Sequence, residues 1–243
     1  MRSLSLLSVA AGLLLSAVIA APARHHDYDQ DENDDCITPD PLPCTDPESP
    51  SYCVGTNGND TLMDTYICGD WRLGPIKLPT DITLDALVEI YDRFGGACPG
   101  EFLATWYNDT ADSYMYPEED GFLLTINGSR IEGVIELPEG TLIDRFGSEY
   151  GSYASPAAAP YMQRALPPSN LATPADDPRY PYNYHIYRVA KAFTVLSGPI
   201  APWFGQPGHG VQYKLNDNIM TLLDGGYLGT VDLSALDDPE EPN

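Results

Sequence analysis

Ile131-Glu132-Gly133-Val134-Ile135-Glu136-Leu137, followed past Pro138-Glu139-Gly140 by Thr141-Leu142-Ile143-Asp144-Arg145, is the stretch that decides the fold class. Both runs are short and rich in apolar, partly β-branched residues, and Pro and Gly separate them, which is the pattern of strands. Working outward, residues 122–126 end in Asn127-Gly128, a turn signal, and residues 184–189, 193–196 and 211–215 are further strand candidates. A short helix is expected from about 218 to 224, stopped by Gly225-Gly226. Upstream, residues 80–96 read as a helix: Leu84, Leu87, Val88, Tyr91 and Phe94 fall at three-and-four spacing, with Asp81 or Thr83 as N-cap and Gly95 past the end. Such a stripe is core. No internal repeat is visible. The expected class is α+β, dominated by β-sheet over residues 102–236, with a disulfide-stapled extension at 21–101 and an acidic tail at 237–243.

The chain has 243 residues, room for one substantial core, and a formal charge of −24 from 12 Lys and Arg against 36 Asp and Glu. A field of that sign repels phosphate backbones and anionic headgroups, which excludes nucleic-acid binding through general attraction. An anionic ligand must be caught by a few placed cations. The 23 prolines and 21 glycines also argue against a coiled coil or helical bundle.

Arg2 and the apolar run from Leu4 to Ala20, closing on Val18-Ile19-Ala20 before Ala21-Pro22, read as a signal peptide cleaved after residue 20. The run is short for a membrane anchor, and no other segment reaches membrane length, so a secreted, extracellular or cell-surface protein without an integral span is expected. Asn59, Asn108 and Asn127 each head an N-x-S/T sequon and become glycosylation candidates. The five cysteines, Cys36, Cys44, Cys53, Cys68 and Cys98, fit no zinc spacing and are read as disulfide partners with one left over; their connectivity stays open. Residues 25–50 are acidic and Pro-rich, too polar to bury themselves.

Three stretches combine Gly or Pro with aromatic and basic side chains: Asp144-Arg145-Phe146-Gly147-Ser148-Glu149-Tyr150-Gly151-Ser152-Tyr153, Gln163-Arg164-Ala165-Leu166-Pro167-Pro168, and the loop from Gly198 to Tyr213 that reads GPIAPWFGQPGHGVQY. Arg145 and Arg164 are scarce cations able to hold phosphate by charge-assisted hydrogen bonds. Phe146, Tyr153, Trp203 and Phe204 can stack on flat rings, and Gln212 can orient a water or a ribose hydroxyl. The glycines of the third stretch allow backbone to approach a ligand, in a pattern that is neither Rossmann nor Walker.

In this order, over residues 102–236, the three stretches closely resemble the tuberculosis necrotizing toxin domain family. The signal peptide, Cys-rich extension and acidic tail resemble its fungal secreted branch, the surface NADases. The resemblance implies cleavage of the nicotinamide–ribosyl bond of NAD and NADP without the catalytic glutamate of ADP-ribosyl cyclases and transferases. It implies catalytic roles for Arg145, Tyr153 and Gln212, and substrate contacts for Phe146, Arg164, Trp203 and a histidine, of which His185 is the nearest match and His209 a competitor. His209 departs from the family by standing where glycine is usual. Arg145 and Arg164 would clamp the diphosphate, Phe146 and Tyr153 confine the nicotinamide, and Gln212 fix the ribose hydroxyls or the attacking water. The fungal branch further implies a homodimer that binds Ca²⁺ through carboxylates at Asp237 and Asp238, with Glu240 and Glu241 close by, and no cofactor for the chemistry. Other classes are a protein ADP-ribosyltransferase and a non-catalytic calcium-dependent surface binder.

Overall fold

The computed structural model describes Cys44 and residues 46–233; Cys36, the proposed signal peptide, Asp237 and Asp238 lie outside the described residues. The chain runs through α1 (Ile82–Val88), α2 (Pro99–Trp106), a two-residue hairpin of β1 (Tyr107–Asn108) and β2 (Ser113–Tyr114), then β3 (Gly133–Leu137), β4 (Leu142–Phe146), β5 (Tyr153–Pro156), β6 (Tyr184–Val189), β7 (Phe193–Pro199), β8 (Val211–Lys214), α3 (Ile219–Asp224) and β9 (Leu228–Val231). Strands β3 to β9 form one antiparallel sheet in the order β3-β7-β8-β5-β4-β6-β9. Among the described residues no helix is long and apolar enough to cross a membrane.

Alternation along the strands builds two cores. Ile143, Tyr187, Val189 and Val195 face α3, meeting Ile219 and Leu222. Phe146, Tyr184 and Ile186 face the other way, onto Leu84, Leu87, Val88 and Tyr91 and onto Tyr161. Strand β6, buried on both faces, is therefore nearly continuous in apolar and aromatic residues. A third cluster joins the N-terminal part to the loop before β8: Leu73, Phe94, Phe102, Leu103 and Tyr114 surround Phe204.

The helix expected over 80–96 ends at Val88. Its apolar stripe serves two cores, with Tyr91 in the α1 cluster and Phe94 in the cluster around Phe204, and one straight helix cannot reach both. Gly95, at φ +62°, lies so close to Gly205 that a Cβ would fall 2.5 Å from the Gly205 carbonyl oxygen. Residues 122–126 do not form a sheet strand: Phe122 bridges to Ile200, Leu124 bridges to Arg130, and the Asn127-Gly128 turn closes a small exposed hairpin. Several elements were not anticipated, among them the β1–β2 hairpin, α2, β5 and β9. Helix α2 starts at Pro99 behind Cys98, whose N–H donates to Glu101. Strand β5 is four residues long and ends in proline; β9 follows α3.

The disulfides are Cys44–Cys98 and Cys53–Cys68, closing separations of 54 and 15 residues. Asn59, Asn108 and Asn127 are all exposed.

Candidate active site

Strand β5 divides its pairing. Tyr153 and Ala154 register with Lys214 and Tyr213 of β8, whereas Ser155 and Pro156 register with Asp144 and Ile143 of β4. Beyond Asp144 the two strands part, and a cleft of about 400 Å³ opens between them, at the lower end of the range of roughly 300–1,000 Å³ for small-molecule sites. Arg145, Tyr153, Arg164 and Gln212, drawn from all three sequence stretches, line it together.

Arg145 spans the gap. Its Nε donates to the Ser148 carbonyl and its Nη1 to the Tyr153 carbonyl, both at 2.7 Å. The glycines of its stretch follow from this placement. A Cβ on Gly151 would fall 2.0 Å from Arg145 Nη2, and one on Gly147, at φ +112°, 3.0 Å from Asn170 Nδ2. The loop is pinned on α3, whose first N–H groups, on Ile219 and Met220, donate to the Gly151 and Glu149 carbonyls. Burial pulls the Arg145 guanidinium below its ordinary value without discharging it. Among the described residues no carboxylate pairs with it.

Arg164 is different. It ends a 3-10 turn, Tyr161–Arg164, and forks onto the fully buried Asp144 at 2.5 and 2.8 Å. Its Nε and Nη2 also donate to the Ala159 carbonyl. Asp144 accepts two further bonds, from Tyr184 Oη at 2.7 Å and the Ala158 N–H at 2.9 Å, so the Arg164 charge is balanced and held in place at the cleft wall.

Across the cleft, Asp120 gathers the other side. Its carboxylate accepts from Tyr153 Oη at 2.9 Å, Lys214 Nζ at 2.5 Å and Arg130 Nη1 at 2.6 Å, while its backbone carbonyl accepts from Gln212 Nε2 at 2.9 Å. Lys214 first, with help from Tyr153 and Arg130, holds the Asp120 carboxyl below the usual range. Burial, and then Asp120, push the Tyr153 phenol up to about 12, so it stays a neutral donor. Gln212 is 8% exposed, and its Oε1 has no protein donor among the described residues.

The remaining expected contacts divide. Phe146 is 1% exposed and lies under the guanidinium of Arg164; it borders a smaller pocket of about 50 Å³ beside Arg145 and Gln212, and the larger cleft excludes it. Trp203 does not line the cleft: its indole packs on Trp106 at 5.0 Å and donates to the Met115 carbonyl. His185 stands opposite Arg145 across the β4–β6 register but is absent from the cleft walls. Its ring stacks on Tyr180, its Nε2 meets Asn183 Oδ1 at 2.9 Å, and its Nδ1 is buried 3.6 Å from Glu149 Oε1 without a hydrogen bond. Burial holds it below its ordinary value, as the neutral imidazole. His209 is exposed at φ +65°, in backbone space that glycine occupies without strain.

Sequence reasoning missed Tyr116, Asp120 and Asn170, which line the cleft, and Lys214 behind Asp120. Lys214 had a signal, since it follows Gln212 by two on one strand and so shares its face. Asp120 had none: Glu118-Glu119-Asp120 reads like any solvated acidic turn.

An unpaired arginine, a neutral phenol and a free amide carbonyl suit a ligand carrying both anionic groups and hydroxyls. Comparison with known proteins accords with this. Residues 136–231 match the family described as Tuberculosis necrotizing toxin. The chain is 48% identical over 194 residues to the conidial surface nicotinamide adenine dinucleotide glycohydrolase of Aspergillus fumigatus, covering 79% of this chain and 81% of that one. Among solved structures, tuberculosis necrotizing toxin complexed with its immunity factor is similar at 21% identity and a TM-score of 0.37, over 49% of this chain and 62% of that one.

Proposed function

Because the chain belongs to the family of the fungal conidial surface NAD glycohydrolase and itself matches the tuberculosis necrotizing toxin family over residues 136–231, we propose that it hydrolyses NAD at the nicotinamide–ribosyl bond to nicotinamide and ADP-ribose. The observation that carries the reading into this chain's own residues is the cleft where β4 and β5 part. In a chain of charge −24 it holds an arginine that no carboxylate neutralises among the described residues.

Arg145 meets the diphosphate, and Arg164, balanced by Asp144, shapes the wall beside it. The Tyr153 ring confines the nicotinamide. Nicotinamide is a cationic leaving group, so when the C1′–N bond breaks it takes the electron pair and departs neutral without a general acid. The ribose is left with oxocarbenium character; water adds to C1′ and releases a proton to solvent. Gln212 Oε1 accepts from a ribose hydroxyl or from that water, and fixed dipoles rather than a nucleophilic carboxylate stabilise the transition state. NADP as a second substrate, a homodimer, secretion with glycans at Asn59, Asn108 and Asn127, and Ca²⁺ held through Asp237 and Asp238 as a stabilising ion belong to the same proposal.

Incubating the purified protein with an etheno-NAD analogue tests it: fluorescence rises, nicotinamide appears, and no protein becomes ADP-ribosylated. Intact dinucleotide overturns the reading, and labelled protein replaces it with a transferase. Gln212→Ala lowers kcat about 100-fold with a smaller change in KM, measured by the same assay. A chelator arm lowers the melting temperature if Ca²⁺ stabilises the fold; indifference removes the ion from the proposal.

A further inference from the structure

Glu119, Asp120 and Gly121 have φ of 54°, 60° and 75°. Two successive non-glycine residues in the left-handed region are a costly arrangement that persists only where surrounding contacts enforce it. Here they do so from several directions: Arg130 pairs with Glu119 and Asp120, Lys214 pairs with Asp120, and the Gly121 carbonyl accepts from the Ala201 N–H at 2.9 Å.

The turn makes one residue point two acceptors at one site. The Asp120 carbonyl oxygen takes a proton of Gln212 Nε2, and Asp120 Oδ1 takes the Tyr153 hydroxyl proton. A carbonyl oxygen only accepts, so the first bond fixes which end of the Gln212 amide is turned away and leaves Oε1 as the end available to a ligand. The second bond fixes the tilt of the Tyr153 ring. Gln212 and Tyr153 sit on different strands, β8 and β5, and Asp120 belongs to neither. Asp120 is itself an unsuitable nucleophile, since a phenol and two cations already occupy its carboxylate.

We propose that Asp120 is the positioning residue of this site, setting the orientation of Gln212 through its carbonyl and of Tyr153 through its carboxylate. The inference rests on the glycohydrolase reading above. It predicts a defect in turnover rather than in affinity, because displacing groups that act in the transition state costs rate, with losses of about 10- to 100-fold for small misplacements.

The test uses Asp120→Asn, Asp120→Glu, Tyr153→Phe and the double variant Asp120→Asn/Tyr153→Phe on the full chain, with etheno-NAD kinetics and a melting curve for each. Asp120→Asn lowers kcat about 10-fold or more while KM stays within about threefold. Asp120→Glu, which keeps the charge, recovers part of the loss. In the Tyr153→Phe background the Asn change costs less than about twofold, because the charge-assisted bond that it weakens is already gone. Should Asp120→Asn fail to fold, Tyr153→Phe removes the same bond outright from the other side and carries at least the same expected fall in kcat. Wild-type turnover in Asp120→Asn or Tyr153→Phe, or losses that simply multiply in the double variant, overturns the inference. A wild-type protein that releases no nicotinamide overturns the glycohydrolase reading itself.

Discussion

Two arginines line the cleft, and the part of the wall around each treats it in opposite ways. On one, Arg164 and Asp144 neutralise each other, with Tyr184, Ala158 and Ala159 making further bonds to the pair. On the other, Arg145 is held only by two backbone carbonyls and keeps its full charge toward the cleft. The lesson is that cation type and motif do not define a role. The first wall spends its polar chemistry on the fold; the second leaves a charge and an amide oxygen free for a ligand, beside a phenol held by Asp120.

Breaking the closed wall has the largest expected effect, and on stability. Arg164→Met strands the Asp144 carboxylate at 0% exposure, and removing one partner of a buried pair costs about 3–5 kcal/mol. At roughly 2–4 °C per kcal/mol for a domain of this size, the melting temperature falls by about 6–20 °C, measured by calorimetry. Adding Asp144→Asn recovers part of the loss by removing the unpaired charge. A single Arg164→Met variant that melts like wild type shows that the pair is not structural.

The open wall responds in the other currency. Arg145→Gln leaves the Ser148 and Tyr153 carbonyls with weaker donors, a stability loss of about 1–2 kcal/mol. It removes the unpaired cation from the cleft, so kcat/KM for the etheno analogue falls about 100-fold. Equal melting losses for Arg145→Gln and Arg164→Met, with similar activities per folded molecule, would erase the distinction between the walls.

How far this was legible from sequence depends on how much of each element's environment its own residues reveal. Strand β6 was readable because both its faces are buried and its residues say so. The stripe through Tyr91 and Phe94 was readable as core but not as two cores, because periodicity reports burial and not which partner does the burying. Strand β5 was invisible: four residues ending in Pro156 and split between two neighbours carry no periodic signal. Arg145, Arg164, Tyr153 and Gln212 were singled out by motif, and the fold does bring them to one cleft. That Arg164 is neutralised by Asp144, twenty residues away, is tertiary information. Trp203 was chosen as a ring within the third stretch and His185 as the nearest match to a histidine that the family resemblance implies, and neither lines the cleft.

The smallest effect separates the walls by pH. His185 lies on the Arg145 side, opposite it in the β4–β6 register, and burial holds it below its ordinary value. The charged groups that act on it are Glu149 and Asp177, which favour its proton, and Arg145, which opposes it. The unfolded chain gains that proton near pH 6.5, before the folded one does. Unfolding therefore takes up a proton as pH falls from about 6.5 through the lower folded value, and stability declines across that window. Asp120 contributes in a separate, lower window: its depressed carboxyl stabilises the fold above the unfolded value of about 3.9 and loses that contribution only as pH drops through the folded one. Melting temperature measured from pH 7.5 to 5 should thus slope downward in wild type, and His185→Asn should flatten the slope with little change at pH 7.5. A slope that survives His185→Asn would mean that the acid-sensitive group lies outside the Arg145 wall.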